Sequence, residues 1–119
     1  MKKSRDARMY VRDILESCDL IIGYIANKTL EEFRVDVFLQ DAVIRRFEII
    51  GEAAKRLPKA FTERYPDVAW QDAAGFRDVL IHDYPEVVVD SVFITAKDHL
   101  PELREQMQNM LYDLESGAK

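Results

Sequence analysis

One short stretch of the sequence concentrates side chains that could do chemistry together. It contains Arg77, His82 and Tyr84, spaced as Arg-xxxx-His-x-Tyr and followed at once by Pro85. An arginine can hold a phosphate with two parallel hydrogen bonds. A histidine can give or take a proton near neutral pH. One proton-transfer group and one cation are about what the cleavage of a phosphodiester without a metal ion requires, so this spacing allows that chemistry.

The same spacing predicts how the side chains lie at the end of a helix. On an ideal helix Arg77 and His82 point roughly 140° apart, whereas Arg77 and Tyr84 nearly coincide. Pro85 disfavours helical backbone angles at Tyr84, so the helix is predicted to end at about His82 to Tyr84. Many helices carry an arginine and a histidine at this distance by chance. From spacing alone, a polar His82 at a helix end and a solvated Arg77 are the simpler interpretation.

Two stretches of the sequence resemble one family of helical proteins. The string Arg77-Asp78-xxx-His82-x-Tyr84 is similar to the signature of the HepT-like toxins, which belong to the larger HEPN group of all-helical RNases. The stretch Ile50–Lys55, with the sequence IGEAAK, resembles part of the second helix of that family. The order of elements matches over nearly the whole chain. One departure is Asp78, where many relatives have Asn, since a carboxylate there would pair with Arg77 and weaken its pull on a phosphate.

The resemblance implies the toxin of a bacterial toxin–antitoxin pair, acting as a metal-independent endoribonuclease on RNA. His82 would act as general base on a 2′-hydroxyl or position the attacking group, and Arg77 would stabilise the charge that builds on the phosphate. Asp78 would support the site. Tyr84 would contribute to the site and would be the residue on which an antitoxin, a nucleotidyltransferase of the MNT type, places AMP. The charge and bulk of each AMP would repel RNA and block the cleft.

Two interpretations from other functional classes stay open. If the Asp78 carboxylate forms an ion pair with Arg77, the chain would be a catalytically inactive helical module whose only role is to bind a nucleotidyltransferase. It would be a small-ligand-binding helical dimer if the cleft around Trp70 and Phe76 is apolar.

Charge and stoichiometry lead to the expectation of a homodimer. The net charge of −5 argues against broad, non-specific binding of nucleic acid. The segment from Arg45 to Arg64 holds six basic and three glutamate side chains, which predicts either a modest basic patch or a solvated helix face with i,i+4 ion pairs.

One subunit offers a single Arg77 and a single His82 for the reaction. We therefore expect two subunits to line one cleft with both pairs, which concentrates positive charge there.

Composition indicates one cytoplasmic globular domain over residues 1–119. Hydrophobic residues make up 48% of the chain and charged residues 33%. No apolar run approaches the roughly 20 residues of a membrane span, and the start of the chain lacks the apolar core of a signal peptide. The single cysteine, Cys18, fits a reducing compartment, and its place on an apolar stripe makes it a core residue. Without clustered His/Cys ligands or a Gly-rich phosphate loop, no cofactor is expected.

Hydrophobic periodicity predicts an all-α protein, a four-to-five-helix up-and-down bundle of the HEPN type. The boundaries follow from caps and breakers: a first helix over about Asp6–Ala26, a break at Asn27-Lys28, a capping box at Thr29–Glu32, a second long helix from the N-cap Asp36 to about Leu57, a connection over Pro58–Ala69, a third helix over about Trp70–His82, and a last element after Pro85 that is kinked or broken near His99–Pro101.

The apolar stripes predict the core. They comprise Val11, Ile14, Cys18, Ile21 or Ile22, and Ile25 on the first helix, Leu39, Val43, Phe47, Ile50, Ala54 and Leu57 on the second, and Val89, Phe93, Ala96, Leu100, Leu103, Met107, Met110 and Leu114 after Pro85. The second helix carries another stripe, Phe38, Ala42, Ile49 and Ala53, and an arc that wide is typical of a central helix or of one that contacts a second subunit. Glu52 on this helix would need a cationic partner if partly buried, and Arg77 is a candidate.

Overall fold

The regular structure in the described part of the chain is helical throughout. The computed structural model describes residues 6–75 and 85–117, and these form helices and no strand. In chain order the helices are α1 (Ala7–Ile25), α2 (Leu30–Val35), α3 (Val37–Arg56), α4 (Lys59–Thr62), α5 (from residue 70, described to residue 75), α6 (Pro85–Asp98) and α7 (Leu100–Ser116). The predicted all-α class is confirmed. No helix among these is long and apolar enough to cross a membrane.

The junction between α2 and α3 forms because side chains satisfy the free backbone groups at the helix ends. Thr29 and Glu32 form the predicted capping box, with the Thr29 hydroxyl accepting from the Glu32 N–H and the Glu32 carboxylate accepting from the Thr29 N–H. The Asp36 carboxylate accepts from the Leu39 N–H at 3.0 Å and so begins α3, as predicted. The Gln40 amide donates to two carbonyls near the end of α2. The corner between the two helices is therefore held by local polar contacts.

Breaks between the other helices follow the predicted breakers. Asn27 has a φ of 65°, a left-handed conformation that asparagine tolerates, and it ends α1. The apolar stripe that continues past Pro85 is divided into two helices at His99, which confirms one of the two predicted outcomes. Pro101 lies in the first turn of α7, where its missing N–H needs no partner. The Pro58–Ala69 connection differs from the prediction because it contains one helical turn, α4, after Pro58.

The predicted stripes meet in one core. Buried members include Val11, Ile14, Cys18, Ile21 and Ile25 of α1, Val43, Phe47, Ile50 and Ala54 of α3, and Phe93, Ala96, Leu100, Met107 and Met110 of α6 and α7. Helix α1 packs against both α3 and α7, so α1 rather than α3 is the central helix. Two ion pairs join α1 to α7, Arg12 with Glu115 and Asp19 with Arg104. Their order along each helix shows that α1 and α7 run antiparallel.

The second stripe on α3 is only partly buried within the chain. Ala53 is buried, whereas Ala42 and Ile49 are half-buried. Phe38 is 90% exposed, so the rest of the described chain does not cover this end of the second stripe. The wide apolar arc thus does not mark a central helix, and its exposed end leaves the second expectation, contact with another subunit, as a prediction.

Candidate active site

The side chains predicted to form the site lie between the two described parts of the chain. Arg77, Asp78, His82 and Tyr84 all lie outside the described residues. We call residues 77–84 the motif segment. Two helices flank it along the chain: α5, described to residue 75, precedes it, and α6, which begins at Pro85, follows directly after Tyr84. The structure therefore describes the helices on either side of the motif segment.

The helix before the motif segment is anchored by its first turn. Ala73 is buried, and Val68 just before the helix is buried with it. The Trp70 indole N–H donates to the Tyr65 carbonyl at 3.1 Å, which fixes the ring against the preceding connection. The half-buried Trp70 thus has a structural role in the chain. This contact gives no direct support to an apolar ligand cleft around Trp70, and Phe76, the other residue named for that cleft, lies outside the described part.

The helix after the motif segment is held against α2 by one aromatic contact and one ion pair. The rings of Phe33 and Phe93 lie 5.2 Å apart between centroids in a tilted arrangement, which favours contact between aromatic side chains. Arg34 donates two hydrogen bonds to the Asp90 carboxylate, at 2.9 and 2.7 Å. These hydrogen bonds lower the pKa of Asp90 and raise the pKa of Arg34. The start of α6 therefore has a defined position relative to α2.

A groove lies beside the described end of α5. Its volume is about 430 Å³, and residues of α5, α6, α7 and the His99 break line it, among them Gly75, Thr95, His99, Leu103 and Gln106. Gly75 is two residues before Arg77, so the groove leads to the motif segment along the chain. His99 lies in this groove, although the sequence indicated only a residue at a helix break.

The charge around this groove is negative. Three carboxylates, Asp67, Asp72 and Glu102, belong to its lining, and the described lining residues include no lysine or arginine. Carboxylates repel the phosphates of a nucleic acid. The described part of the groove is therefore unsuited to hold an RNA backbone, and the attraction of a phosphate would fall to Arg77.

At least half of the basic side chains in the predicted patch between Arg45 and Arg64 form ion pairs with its glutamates. Each of its three glutamates contacts a basic side chain on the same helix or turn: Arg45 with Glu48 at 3.6 Å, Arg56 with Glu52 at 2.6 Å, and Lys59 with Glu63 at 3.9 Å. Arg64 lies about 6 Å above the rings of Phe61 and Tyr65. The solvated face with short-range ion pairs is the alternative that the structure confirms. Glu52 has Arg56 as a partner, and its predicted pairing with Arg77 involves a residue outside the described ones.

One other residue weighed from the sequence, Cys18, can be placed. Cys18 is fully buried on α1, which confirms its assignment to the core, and this burial raises the pKa of its thiol to about 12. A thiol in this state is no nucleophile near neutral pH. Within residues 6–75 and 85–117, no group of three or more His, Cys, Asp or Glu side chains is arranged to hold a metal ion.

Sequence reasoning missed the contacts that hold the helices on either side of the motif segment. Arg34 and Asp90 are 56 positions apart, and nothing in the spacing of two opposite charges at that distance indicates a pair. The exposed Val35, Val37 and Phe38 were visible as an apolar run around the cap of α3, but a helical period alone does not show which side of a helix the rest of the chain covers.

Comparison with known proteins gives one consistent family. The family model described as "Ribonuclease HepT-like" matches residues 14–110, a range that contains the motif segment. A Methanocaldococcus jannaschii protein whose name proposes an RNase is 40% identical over 111 residues, which are 93% of this chain and 92% of that protein. A Thermococcus cleftensis protein whose name proposes a ribonuclease HepT is 37% identical over 92% of this chain and 98% of its own length. No solved structure matches the chain.

One further relative is much longer than this chain. It is a Methanocaldococcus jannaschii protein whose name joins a γ-glutamylcyclotransferase to a proposed RNase. It is 41% identical over 113 residues, which are 95% of this chain, and the chain spans about half, 51%, of its length.

Proposed function

Because the chain belongs to the HepT-like ribonuclease family, we propose that it is a metal-independent endoribonuclease and the toxin of a toxin–antitoxin pair. The observation that carries the proposal is the family match over residues 14–110, which spans the whole motif segment together with the helices on both sides of it. The chemistry of Arg77 and His82 supplies the physical argument. RNA is the proposed substrate because only RNA has a 2′-hydroxyl next to the phosphodiester.

In the proposed reaction the nucleophile comes from the substrate. His82 takes the proton of the 2′-hydroxyl as that oxygen attacks the neighbouring phosphorus. The bond from phosphorus to the 5′-oxygen breaks, and this oxygen leaves with a proton from solvent or from a protonated side chain. The products are a 2′,3′-cyclic phosphate and a 5′-hydroxyl. Arg77 stabilises the negative charge on the phosphoryl oxygens during the attack, and Asp78 supports the site.

The proposed site is completed by a second copy of the chain. One subunit supplies one Arg77 and one His82, whereas a two-fold symmetric cleft holds two of each. The uneven charge of the described surface supports this arrangement. The groove beside α5 is acidic, and Arg45, Arg56 and Lys59 are each paired with a glutamate, so a strongly positive cleft needs both copies of Arg77.

We propose the cytoplasm as the compartment and a nucleotidyltransferase of the MNT type as the antitoxin. This partner would transfer AMP from ATP to the Tyr84 hydroxyl, with release of pyrophosphate, so that an O–P bond forms at Tyr84 as the bond between the α- and β-phosphates breaks. The added phosphate carries negative charge next to Arg77. Modified protein would then repel RNA and lose activity.

The experiment that tests the proposed function uses RNA and a chelator. Purified protein is incubated with a labelled RNA in excess EDTA, beside the same RNA with every ribose replaced by 2′-deoxyribose. We expect the RNA to be cleaved in EDTA and the products to carry 2′,3′-cyclic phosphate ends. The deoxy oligonucleotide should stay intact. Cleavage that stops in EDTA, or cleavage of the deoxy oligonucleotide, contradicts the mechanism.

The alternative of an inactive module is decided by Asp78. If the Asp78 carboxylate occupies Arg77, the chain pairs with a nucleotidyltransferase without cutting RNA. Asp78→Asn removes the negative charge and keeps the side-chain shape. A wild-type protein without RNase activity whose Asp78→Asn variant cleaves RNA would support the inactive module, whereas comparable cleavage by both supports the proposed enzyme.

A further inference from the structure

The groove beside α5 has an apolar floor. Its deepest described lining residues are Ala73 and Leu100, which are buried, and Leu103, which is half-buried. Its volume of about 430 Å³ lies in the range of sites that hold small molecules. The Gln106 amide donates to the Asp67 carbonyl at 3.2 Å and ties the connection before α5 to α7. Contacts within the chain therefore hold the groove open.

The rim of the groove carries negative charge that the described chain does not neutralise. Asp67, Asp72 and Glu102 line the groove and are exposed. No basic side chain within residues 6–75 and 85–117 forms an ion pair with any of these three carboxylates, whereas Asp19 and Asp90 are each held by an arginine. Like charges gathered around an apolar surface repel one another. A cation in the groove would relieve this repulsion.

The basic residues nearest to this rim along the chain are engaged elsewhere. The Lys97 ammonium lies 5.6 Å from the centre of the Phe93 ring. The Arg104 guanidinium donates to Asp19 on α1 at 2.5 Å. Arg64 lies over two aromatic rings of its own turn. These three described cations are therefore not directed at the rim, and the groove suits a cation from outside the chain.

The shape and chemistry of the groove select among cations. Hydrated Mg²⁺ carries charge but gains little from an apolar floor, and no described group of three or more His, Cys, Asp or Glu is arranged to bind a metal. A linear polyamine combines methylene groups, which bury against apolar side chains, with ammonium groups, which pair with carboxylates. The lining on α6 and α7 extends from Thr95 to Gln106, at most roughly 16 Å at the helical rise, so an extended polyamine fits along it.

We infer that the groove binds a linear triamine of the spermidine type, with its methylene chain along the floor and one ammonium group near each of Asp67, Asp72 and Glu102. The number of cationic groups then equals the number of rim carboxylates. Gly75 of the groove lies two residues before Arg77 in the sequence. One consequence rests on the proposed function: a bound triamine removes the repulsion of RNA phosphates by the rim and so raises the rate of cleavage.

Calorimetric titration with spermidine, at physiological ionic strength and without RNA, tests the site. The groove variant carries Asp72→Asn and Glu102→Gln. The control variant carries Glu105→Gln and Asp113→Asn, which remove two exposed carboxylates of α7 outside the described groove lining, so both variants have the same net charge. We expect one spermidine per chain for the wild type and the control, and binding at least about 10-fold weaker for the groove variant. Circular dichroism should show the same helix content in all three proteins.

Two further titrations separate a fitted ligand from loose attraction of charge. Putrescine, a shorter diamine, should bind more weakly than spermidine because it reaches fewer carboxylates. Mg²⁺ should not displace spermidine at matched ionic strength, since it makes no use of the apolar floor. The inference is overturned if the wild type does not bind spermidine, if all three proteins bind it equally, if putrescine binds as tightly, or if Mg²⁺ displaces it.

RNA cleavage by the same proteins separates this inference from the proposed function. Spermidine also binds RNA, so its effect is compared between proteins. It should raise the cleavage rate of the wild type and the control several-fold more than that of the groove variant. Specific spermidine binding without any RNA cleavage contradicts the enzyme and keeps the site. Cleavage by a wild type that binds no spermidine contradicts the site and keeps the enzyme.

Discussion

Arg34 on α2 and Asp90 on α6 form a two-point ion pair, with hydrogen bonds of 2.9 and 2.7 Å between the guanidinium and both carboxylate oxygens. A pair with two parallel hydrogen bonds fixes orientation as well as distance. Asp90 lies in the first half of α6, the helix that leaves the motif segment. The pair therefore fixes the direction in which α6 starts, and through Pro85 it constrains the end of the motif segment.

Loss of this pair should reduce activity more than stability. We expect Asp90→Asn to slow RNA cleavage several-fold, because α6 can then turn relative to α2 and displace the motif segment. Both side chains are substantially exposed, so the melting temperature should change little. Single-turnover cleavage rates and thermal unfolding of the same preparations check this. Glu115→Gln is the matched control, because it breaks the pair with Arg12 between α1 and α7.

The pair also predicts a pH dependence with a definite sign. Its hydrogen bonds lower the pKa of Asp90 below 3.8 in the folded protein. The contribution of the pair to stability is then complete above pH 3.8 and is lost as the pH falls through the lowered pKa. Asp90→Asn should lose less stability than the wild type between pH 4 and pH 2. Equal acid sensitivity of the two proteins in denaturant unfolding would mean that the pair contributes nothing.

Phe33 should be among the most sensitive core positions. It is fully buried on the short helix α2 and packs against Phe93. We expect Phe33→Ala to lower the free energy of unfolding by about 3–5 kcal/mol, because the cavity leaves Phe93 without its partner. The exposed Tyr112→Ala should stay within about 0.5 kcal/mol of the wild type. Guanidinium unfolding followed by circular dichroism measures both, and similar losses for the two variants would contradict the placement of α2.

Cys18 should resist thiol reagents in the folded protein. Its pKa of about 12, compared with 9.0 for a free thiol, means about 10³-fold less thiolate at pH 8. Modification by iodoacetamide should therefore be slower than in guanidinium by at least that factor. Rates measured by intact-mass spectrometry decide, and modification of the native protein at the rate of an exposed thiol would contradict the burial.

The same thiol should make the protein lose stability at alkaline pH. Below pH 9 the thiol is protonated in the folded and unfolded states, so its burial has no pH-dependent cost. As the pH rises from 9 towards 12, the unfolded state releases its proton first and becomes relatively more stable. Cys18→Ala should remove this part of the loss. The free energies of unfolding of both proteins at pH 8 and pH 10.5 give the comparison, and equal losses would be the contrary result.

Tyr84 should be the single site at which the antitoxin modifies the protein. Co-expression with the cognate nucleotidyltransferase is expected to raise the mass of the protein by one or more AMP units. Tyr84→Phe should show no gain, since it lacks the hydroxyl that attacks ATP. Intact-mass spectrometry of both proteins is the measurement. If the wild type stays unmodified after incubation with active partner and ATP, the prediction is wrong, and direct binding remains as the way in which the partner neutralises the protein.

The fold could be predicted in large part because its signals are local. The alternation of apolar residues on α1, the capping box at Thr29, the cap at Asp36 and the break at His99 depend on neighbours within a few positions. The predicted boundaries that fall within residues 6–75 and 85–117 agree with the structure within about two residues, and the predicted end of the third helix near His82 lies outside them. The helical turn α4 was missed because a stretch of four residues is too short for a periodic pattern.

Features that depend on distant parts of the chain could not be predicted in the same way. The sequence does not show that α1 is the central helix. Ile21 on α1 and Phe47 on α3 belong to similar apolar stripes, and only the packing of the helices shows which of the two is central. The exposure of Phe38 depends on whether another element or another chain covers α3 at that end. For Arg77 and His82 the sequence supplied residue types and the family signature, and their roles remain predictions.

The most direct test of the central claim compares the two histidines. Single-turnover cleavage of one RNA in EDTA is measured for the wild type, His82→Ala and His99→Ala. The account predicts that His82→Ala slows cleavage by about 10²–10⁴-fold, as the loss of a general base does, whereas His99→Ala stays within a few-fold of the wild type. An active His82→Ala protein with wild-type folding, or equal losses in both variants, would contradict the assignment of His82 as the proton-transfer residue.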